Sequence, residues 1–326
     1  MKKIIALLLV CIMSMSISAF AADFSDMPDD WSTTALLNAV ENGLLSGSGG
    51  KILPSDNLTR AQMATIMVRA CGATGDADIS EFTDVTPNDW FYGSMSKAVA
   101  MGAFNGSGGM LNPESPISRQ EAFVVLSRVF GLAINTKVDT SILNQFTDVA
   151  DIAQWAANDV AAIVSLGYVG GNGGMLNPNA NITRAEFAVV MDRLIKYYID
   201  DENATTIPTD GNVMIRVGNL KLDGVETEKM VVIGDGVGDT ELSFANSKID
   251  SELVVRAGKR IALDGRYQHV KIIRPNVRVE GDIRRKEDSY EAEKVHKVYI
   301  CKNSTFSTMA NLGTPDQSTE KVEAEQ

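Results

Sequence analysis

Between residues 23 and 198 the apolar positions recur at helical spacing. One kind of block carries Leu36, Ala39 and Val40, and again Val160, Ile163 and Val164. A second kind carries Met63, Ile66, Met67 and Ala70, matched by Ala122, Val125, Leu126 and Val129, then by Phe187, Val190, Met191 and Leu194. Steps of three and four put each set on one helix face. From about residue 213 the texture changes to short runs rich in β-branched residues: 213–217, 229–233, 241–244, 252–255, 260–263, 270–273 and 277–280, separated by Gly, Asn and Asp. These read as strands. The fold expected is therefore α, then β.

The helical half is one unit written three times. Phe24-Ser25-Asp26, Phe82-Thr83-Asp84 and Phe146-Thr147-Asp148 precede Trp31, Trp90 and Trp155. Twelve residues after each Trp stands Gly43, Gly102 or Gly167, where a helix favours a left-handed residue just past its end. The loops Gly47-Ser48-Gly49-Gly50, Gly106-Ser107-Gly108-Gly109 and Gly171-Asn172-Gly173-Gly174 follow, then Pro54, Pro113 and Pro178. Each copy closes on Thr59-Arg60-Ala61-Gln62, Ser118-Arg119-Gln120-Glu121 or Thr183-Arg184-Ala185-Glu186, with 29 residues from Trp to Arg throughout. Ser or Thr with Glu or Gln three positions on predicts a capping box. Each unit is thus helix–loop–helix, with an apolar stripe that only its neighbours can cover. The repeats are placed at 23–75, 82–137 and 146–198, a polar linker at 199–212, a β-rich domain at 213–304 and a disordered tail at 305–326.

Within the β-rich part a loose period of 20–24 residues relates Val225, Ile249 and Val270, and likewise Met230 and Leu253. A short parallel β-solenoid is predicted, with a small β-sandwich as the alternative.

Composition sets the compartment and narrows the chemistry. Lys2 and Lys3, an apolar run to Ile17 and Ala19-Phe20-Ala21 make a secretory signal over residues 1–21. Cys11 belongs to it, since Val10 stands where a lipid anchor needs a small residue. No other segment is apolar enough to cross a bilayer. Net charge is −12 for the whole chain, which argues against nucleic acid as a partner. Cys71 and Cys301 are too few and too distant for a disulfide framework. His269 and His296 are the only histidines and neither sits in a catalytic motif. Gly234 to Asp239 does not fit a calcium-repeat register and reads as a turn. No enzyme, cofactor or metal site is expected. Ten Lys or Arg against three acids between Val254 and Lys286 form a basic strip. It suits either an anionic wall polymer or partner, or plain outward-facing strand positions.

The F-x-D start, the Trp, the glycine loop, the Pro and the T-R-A-E closure resemble S-layer homology domains in three copies over residues 23–198. The resemblance implies a pseudo-threefold helical domain on a cell wall, whose inter-repeat grooves bind wall polysaccharide or a peptidoglycan-linked polymer, often one bearing a pyruvate ketal. It also leaves self-association into a lattice open. On this footing Arg60, Arg119 and Arg184 are the leading polysaccharide contacts, because a guanidinium at a helix N-terminus can meet an anion. An internal salt bridge to Asp26, Asp84 or Asp148 is the competing reading. Trp31, Trp90 and Trp155 are either stacking platforms or core. Gly49, Gly108 and Gly173 either admit a sugar to the backbone or only supply positive φ. Gln62, Glu121 and Glu186 read as caps, and Arg69, Arg128 and Arg193 as surface or inter-repeat pairs. The loops lack the aromatic and acidic residues common in the family, which bears on which polymer is bound.

Overall fold

A computed structural model describes residues 24–134 and 138–283, with the backbone of three further strands at 297–300, 305–308 and 321–323. The expected signal segment and Cys301 lie outside these residues, as does most of the expected tail.

Six helices form three pairs: α1 (Thr33–Glu41) and α2 (Arg60–Cys71), α3 (Tyr92–Ala100) and α4 (Arg119–Phe130), α5 (Ala157–Ser165) and α6 (Arg184–Leu194). All three second helices open with a complete capping box, Thr59 with Gln62, Ser118 with Glu121 and Thr183 with Glu186. Gly43, Gly102 and Gly167 take left-handed φ directly after the first helices, as the spacing predicted. The stripes are covered by the next repeat: α2 packs on α3, α4 on α5, and α6 returns to α1. At the axis Leu58 N–H donates to Ile182, Ile182 N–H to Ile117 and Ile117 N–H to Leu58, at 3.0 to 3.1 Å. These three residues are fully buried. A closed ring of hydrogen bonds thus replaces the open ends of a linear repeat array.

The second half is a parallel β-solenoid of about five turns. Every strand pair is parallel, and Val213, Val231, Leu253, Val270 and Val298 stack in one column. The expected period holds only loosely. Thr227, not Val225, pairs with Ile249, Ile249 pairs with Tyr267, and Leu253 pairs with Val231 rather than Met230. Several expected short strands merge into two long ones, Glu241–Val255 and Arg260–Ile272, which turn corners at register shifts without leaving the ladder.

Two differences concern the junction of the halves. Residues 199–212, expected as a linker, form the first coil: β1 (Tyr197–Ile199) pairs with β2 (Val213–Ile215), Ile207 is buried, and Thr205 O accepts from Asp223 N–H at 3.0 Å. The cause is visible at residue 196. Gly72 and Gly131 end α2 and α4 in the left-handed conformation. Lys196 stands in their place after α6, where the chain leaves through Ile195 in extended conformation. The second difference is the sheet face 213–215, 231–233 and 253–255, buried on both sides. Val213, Ile215 and their column mates fill the solenoid, while Met214, Val232 and Val254 join the helical core. A sheet covered on both faces reads as a continuous apolar run.

Candidate functional site

Each repeat's loop is a two-residue hairpin. Ser48 and Lys51 exchange backbone hydrogen bonds of 2.8 and 3.1 Å, as do Ser107 with Met110 and Asn172 with Met175. The Gly-Gly pair between them has positive φ at both positions, the primed turn that fits strand twist. A β-carbon at Gly49, Gly108 or Gly173 would meet nothing within 4 Å, so the hairpin tips stand in open space.

The acids of the F-x-D triplets hold the hairpin necks. Asp26 accepts from the amides of Ile52 and Leu53 at 2.7 and 2.9 Å, Asp84 from Leu111 and Asn112, and Asp148 from Leu176 and Asn177. For Asp26 and Asp148 desolvation works against the charge, yet these amides outweigh it and hold both carboxyls below the ordinary value. The competing reading of the arginines, an internal salt bridge, is corrected in its partner: the aspartate carboxylates are committed to backbone amides, and Arg60 and Arg119 pair with Glu121 and Glu186 instead.

Each arginine instead reaches the next repeat's hairpin neck. Arg60 Nε donates to Leu111 O at 2.8 Å and Arg119 Nε to Leu176 O at 2.9 Å. Arg184 Nε donates to Ile52 O at 2.8 Å, which closes the circle. Arg60 Nη1 meets Glu121 Oε1 at 3.3 Å, and Arg119 Nη1 meets Glu186 Oε1 at 2.7 Å. The cap glutamates therefore hold both a helix start and an arginine. Arg60 also lies over the Phe104 ring and Arg119 over Phe123. Burial pulls Arg60 and Arg184 below the usual guanidinium value; Glu121 and Asp84 oppose it at Arg60, Asp56 and Asp26 at Arg184. Arg60 and Arg184 nevertheless remain cations, since a guanidinium titrates far above physiological pH.

The tryptophans are surface residues. Trp31, Trp90 and Trp155 are 65%, 66% and 58% exposed, because each helix starts two residues later and buries Ser32, Phe91 or Ala156 instead. Among the described residues no hydrogen bond or ring contact links an indole to an arginine. The structure thus gathers arginine, cap residue and neighbouring hairpin into one junction and leaves each indole on the surface. Arg69 and Arg193 bind loop carbonyls, Leu44 and Tyr168, within their own repeats.

The basic strip has a use that the sequence reading missed. Arg256, 3% exposed, donates to Val129 O at 2.6 Å and Met101 O at 2.9 Å, and pairs with Asp235 at 2.5 Å. Lys271 Nζ donates to Gly131 O at 3.2 Å, Arg274 to Ala100 O, and Arg216 to Asn42 O and Arg69 O. These carbonyls lie at the ends of α1 to α4. Solenoid cations therefore cap helix C-termini, where the dipole favours positive charge. Arg260 and Arg266 pair with Glu280 and Asp250. Both earlier readings of the strip give way to an internal one for Arg256, Lys271 and Arg274. Asp235, in the turn at Gly234 to Asp239, is spent on Arg256. Among the described residues no group of three or more His, Cys, Asp or Glu is placed to hold a metal, and no helix is long and apolar enough to cross a membrane.

Comparison with known proteins agrees with this geometry. The S-layer homology domain matches residues 23–64, 81–123 and 145–188. The Surface-layer 125 kDa protein of Lysinibacillus sphaericus is 30% identical over 197 residues, 59% of this chain and 16% of that protein. An Amylopullulanase of Thermoanaerobacterium thermosulfurigenes is 27% identical over 183 residues, 55% of this chain and 10% of the enzyme. An S-layer protein of Bacillus licheniformis is 24% identical over 293 residues, 86% of this chain and 31% of that protein. The chain thus spans less than a third of these relatives' length.

Proposed function

The chain is a protein with three S-layer homology domains, and from that premise we propose that it is a non-catalytic cell-surface protein anchored by an acidic wall polysaccharide in the junctions between its repeats. One observation carries the reading. At each junction an arginine sits at a helix N-terminus, below a hairpin tip that leaves space for a sugar, on a repeat that also exposes an indole. A guanidinium suits a carboxylate or phosphate, and the exposed indoles suit sugar rings.

The relatives support an anchoring role over a catalytic one. The same region matches part of a carbohydrate-degrading enzyme and part of surface-layer proteins, as a mounting module would. Co-sedimentation of the full chain with purified wall polysaccharide tests the reading. Binding is expected, and it should weaken when pyruvyl or phosphate groups are stripped from the polymer; no binding to intact polymer would sink it. A structural role in a self-associating layer is the second reading. It is favoured by the surface-layer relative whose match runs past the helical half into the solenoid. Concentration-dependent assembly in light scattering would support it.

A further inference from the structure

The three junctions differ in charge, and we propose that the anionic group of the wall polymer is taken at the third one, where repeat 3 meets repeat 1, with Gln62 and Lys51 as the selecting residues. This rests on the reading that an acidic saccharide occupies these junctions.

Two substitutions fall on the same junction. At the first, Arg60 faces Glu121; at the second, Arg119 faces Glu186. The equivalent position at the third is Gln62, which completes its capping box equally well but brings no charge. Among the described residues Arg184 accordingly has no carboxylate within ion-pair distance. It turns to backbone, Nε to Ile52 O and Nη2 to Ser46 O, and among the described residues no aromatic ring lies beneath it. It is 92% buried, its hydrogen bonds go to backbone carbonyls, and Asp56 and Asp26 support its charge only from beyond ion-pair distance. A buried cation with no carboxylate in contact gains more from an incoming anion than one that a glutamate already serves. The hairpin whose neck holds Arg184 carries Lys51 where its sisters carry Met110 and Met175.

Loop carboxylates do not cancel the difference. The third junction sets Arg184 and Lys51 against Asp26 and Asp56, and is neutral. The second sets Arg119 against Asp148 and Glu186. The first sets Arg60 against Asp84 and Glu121. A polyanion therefore meets two junctions with one excess acid each and a third that is balanced, which makes the third the most favourable.

The test uses residues the molecule already tolerates. Gln62→Glu with Lys51→Met rebuilds the third junction in the image of the other two, with its capping box intact. Glu121→Gln with Glu186→Gln does the reverse. Full-length proteins are titrated calorimetrically with isolated wall polysaccharide, either intact, stripped of ketals by mild acid, or stripped of phosphate by hydrogen fluoride. The first variant should lose about tenfold or more in affinity, as removal of one favourable charge contact does. The second should bind at least as tightly as the parent. Loss of the difference between parent and first variant on ketal-free or on phosphate-free polymer identifies the anionic group. If the parent binds and the first variant binds equally, the third junction is not the selective one. If the parent fails to bind intact polymer, the anchoring reading itself fails.

Discussion

Leu53 has φ of +56°, and its counterparts Asn112 and Asn177 have +51° and +54°. Asparagine tolerates the left-handed region, whereas a branched apolar side chain does not. Leu53→Asn should therefore raise stability by about 0.5–1 kcal/mol, read as a higher denaturant midpoint at unchanged slope. The aspartates next to these residues set the acid limit. Amide donation to Asp26 and Asp148 outweighs their desolvation and depresses the folded pKa below the ordinary 3.8. Their contribution is complete above the unfolded value and is lost as pH falls through the folded one. Thermal midpoints should be flat above about pH 5 and fall below about pH 4, with a shallower fall in Asp26→Asn. Sequence pattern showed that these aspartates recur in register with the loops. It did not show what they hold, because their partners are backbone amides and carry no residue signature.

At the scale of elements, the helices were legible because several levels agree: an apolar stripe, a cap, a left-handed glycine and a fixed interval, repeated three times. Since all three capping boxes are complete, Thr59→Ala, Ser118→Ala and Thr183→Ala should each cost about 1 kcal/mol. The Ser118 and Thr183 variants should also loosen an arginine of the preceding repeat, because Glu121 and Glu186 bind it as well. Urea unfolding of the three variants checks both points; a clearly smaller loss at Thr59 would match the absence of a charged partner on Gln62. The solenoid was legible in kind but not in register. Its rungs advance by 18, 22 and 17 residues along the column through Val213, Val231, Leu253 and Val270. Corners lie inside continuous strands, so no single period aligns the right residues. The arginines were legible as one set by spacing alone, while their separation into paired and unpaired members required knowing which repeat follows which around the ring.

For the whole molecule, the decisive contacts join its two halves, and these were least visible in advance. A run of basic residues in an acidic chain suggested an outside partner, yet the partners of Arg256, Lys271 and Arg274 are carbonyls at helix ends in the other half. Burial opposes the charge of Arg256, but Asp235 outweighs it and raises its pKa, so the buried group remains a cation. The same interface encloses Cys71, whose thiol is pushed up to about 12 by burial and is kept unreactive. Arg256→Met tests this arrangement. It keeps the aliphatic bulk but strands the Asp235 carboxylate and leaves the carbonyls of Val129 and Met101 without a donor. Breaking one side of a buried pair costs about 3–5 kcal/mol. Arg260→Met, in a pair with far more solvent around the guanidinium, should cost far less. Because the lost contacts cross the interface, the Arg256 variant should also split one cooperative calorimetric transition into two, with the helical half melting first. A single transition at the parental midpoint would show that the helical domain stands without its solenoid cap.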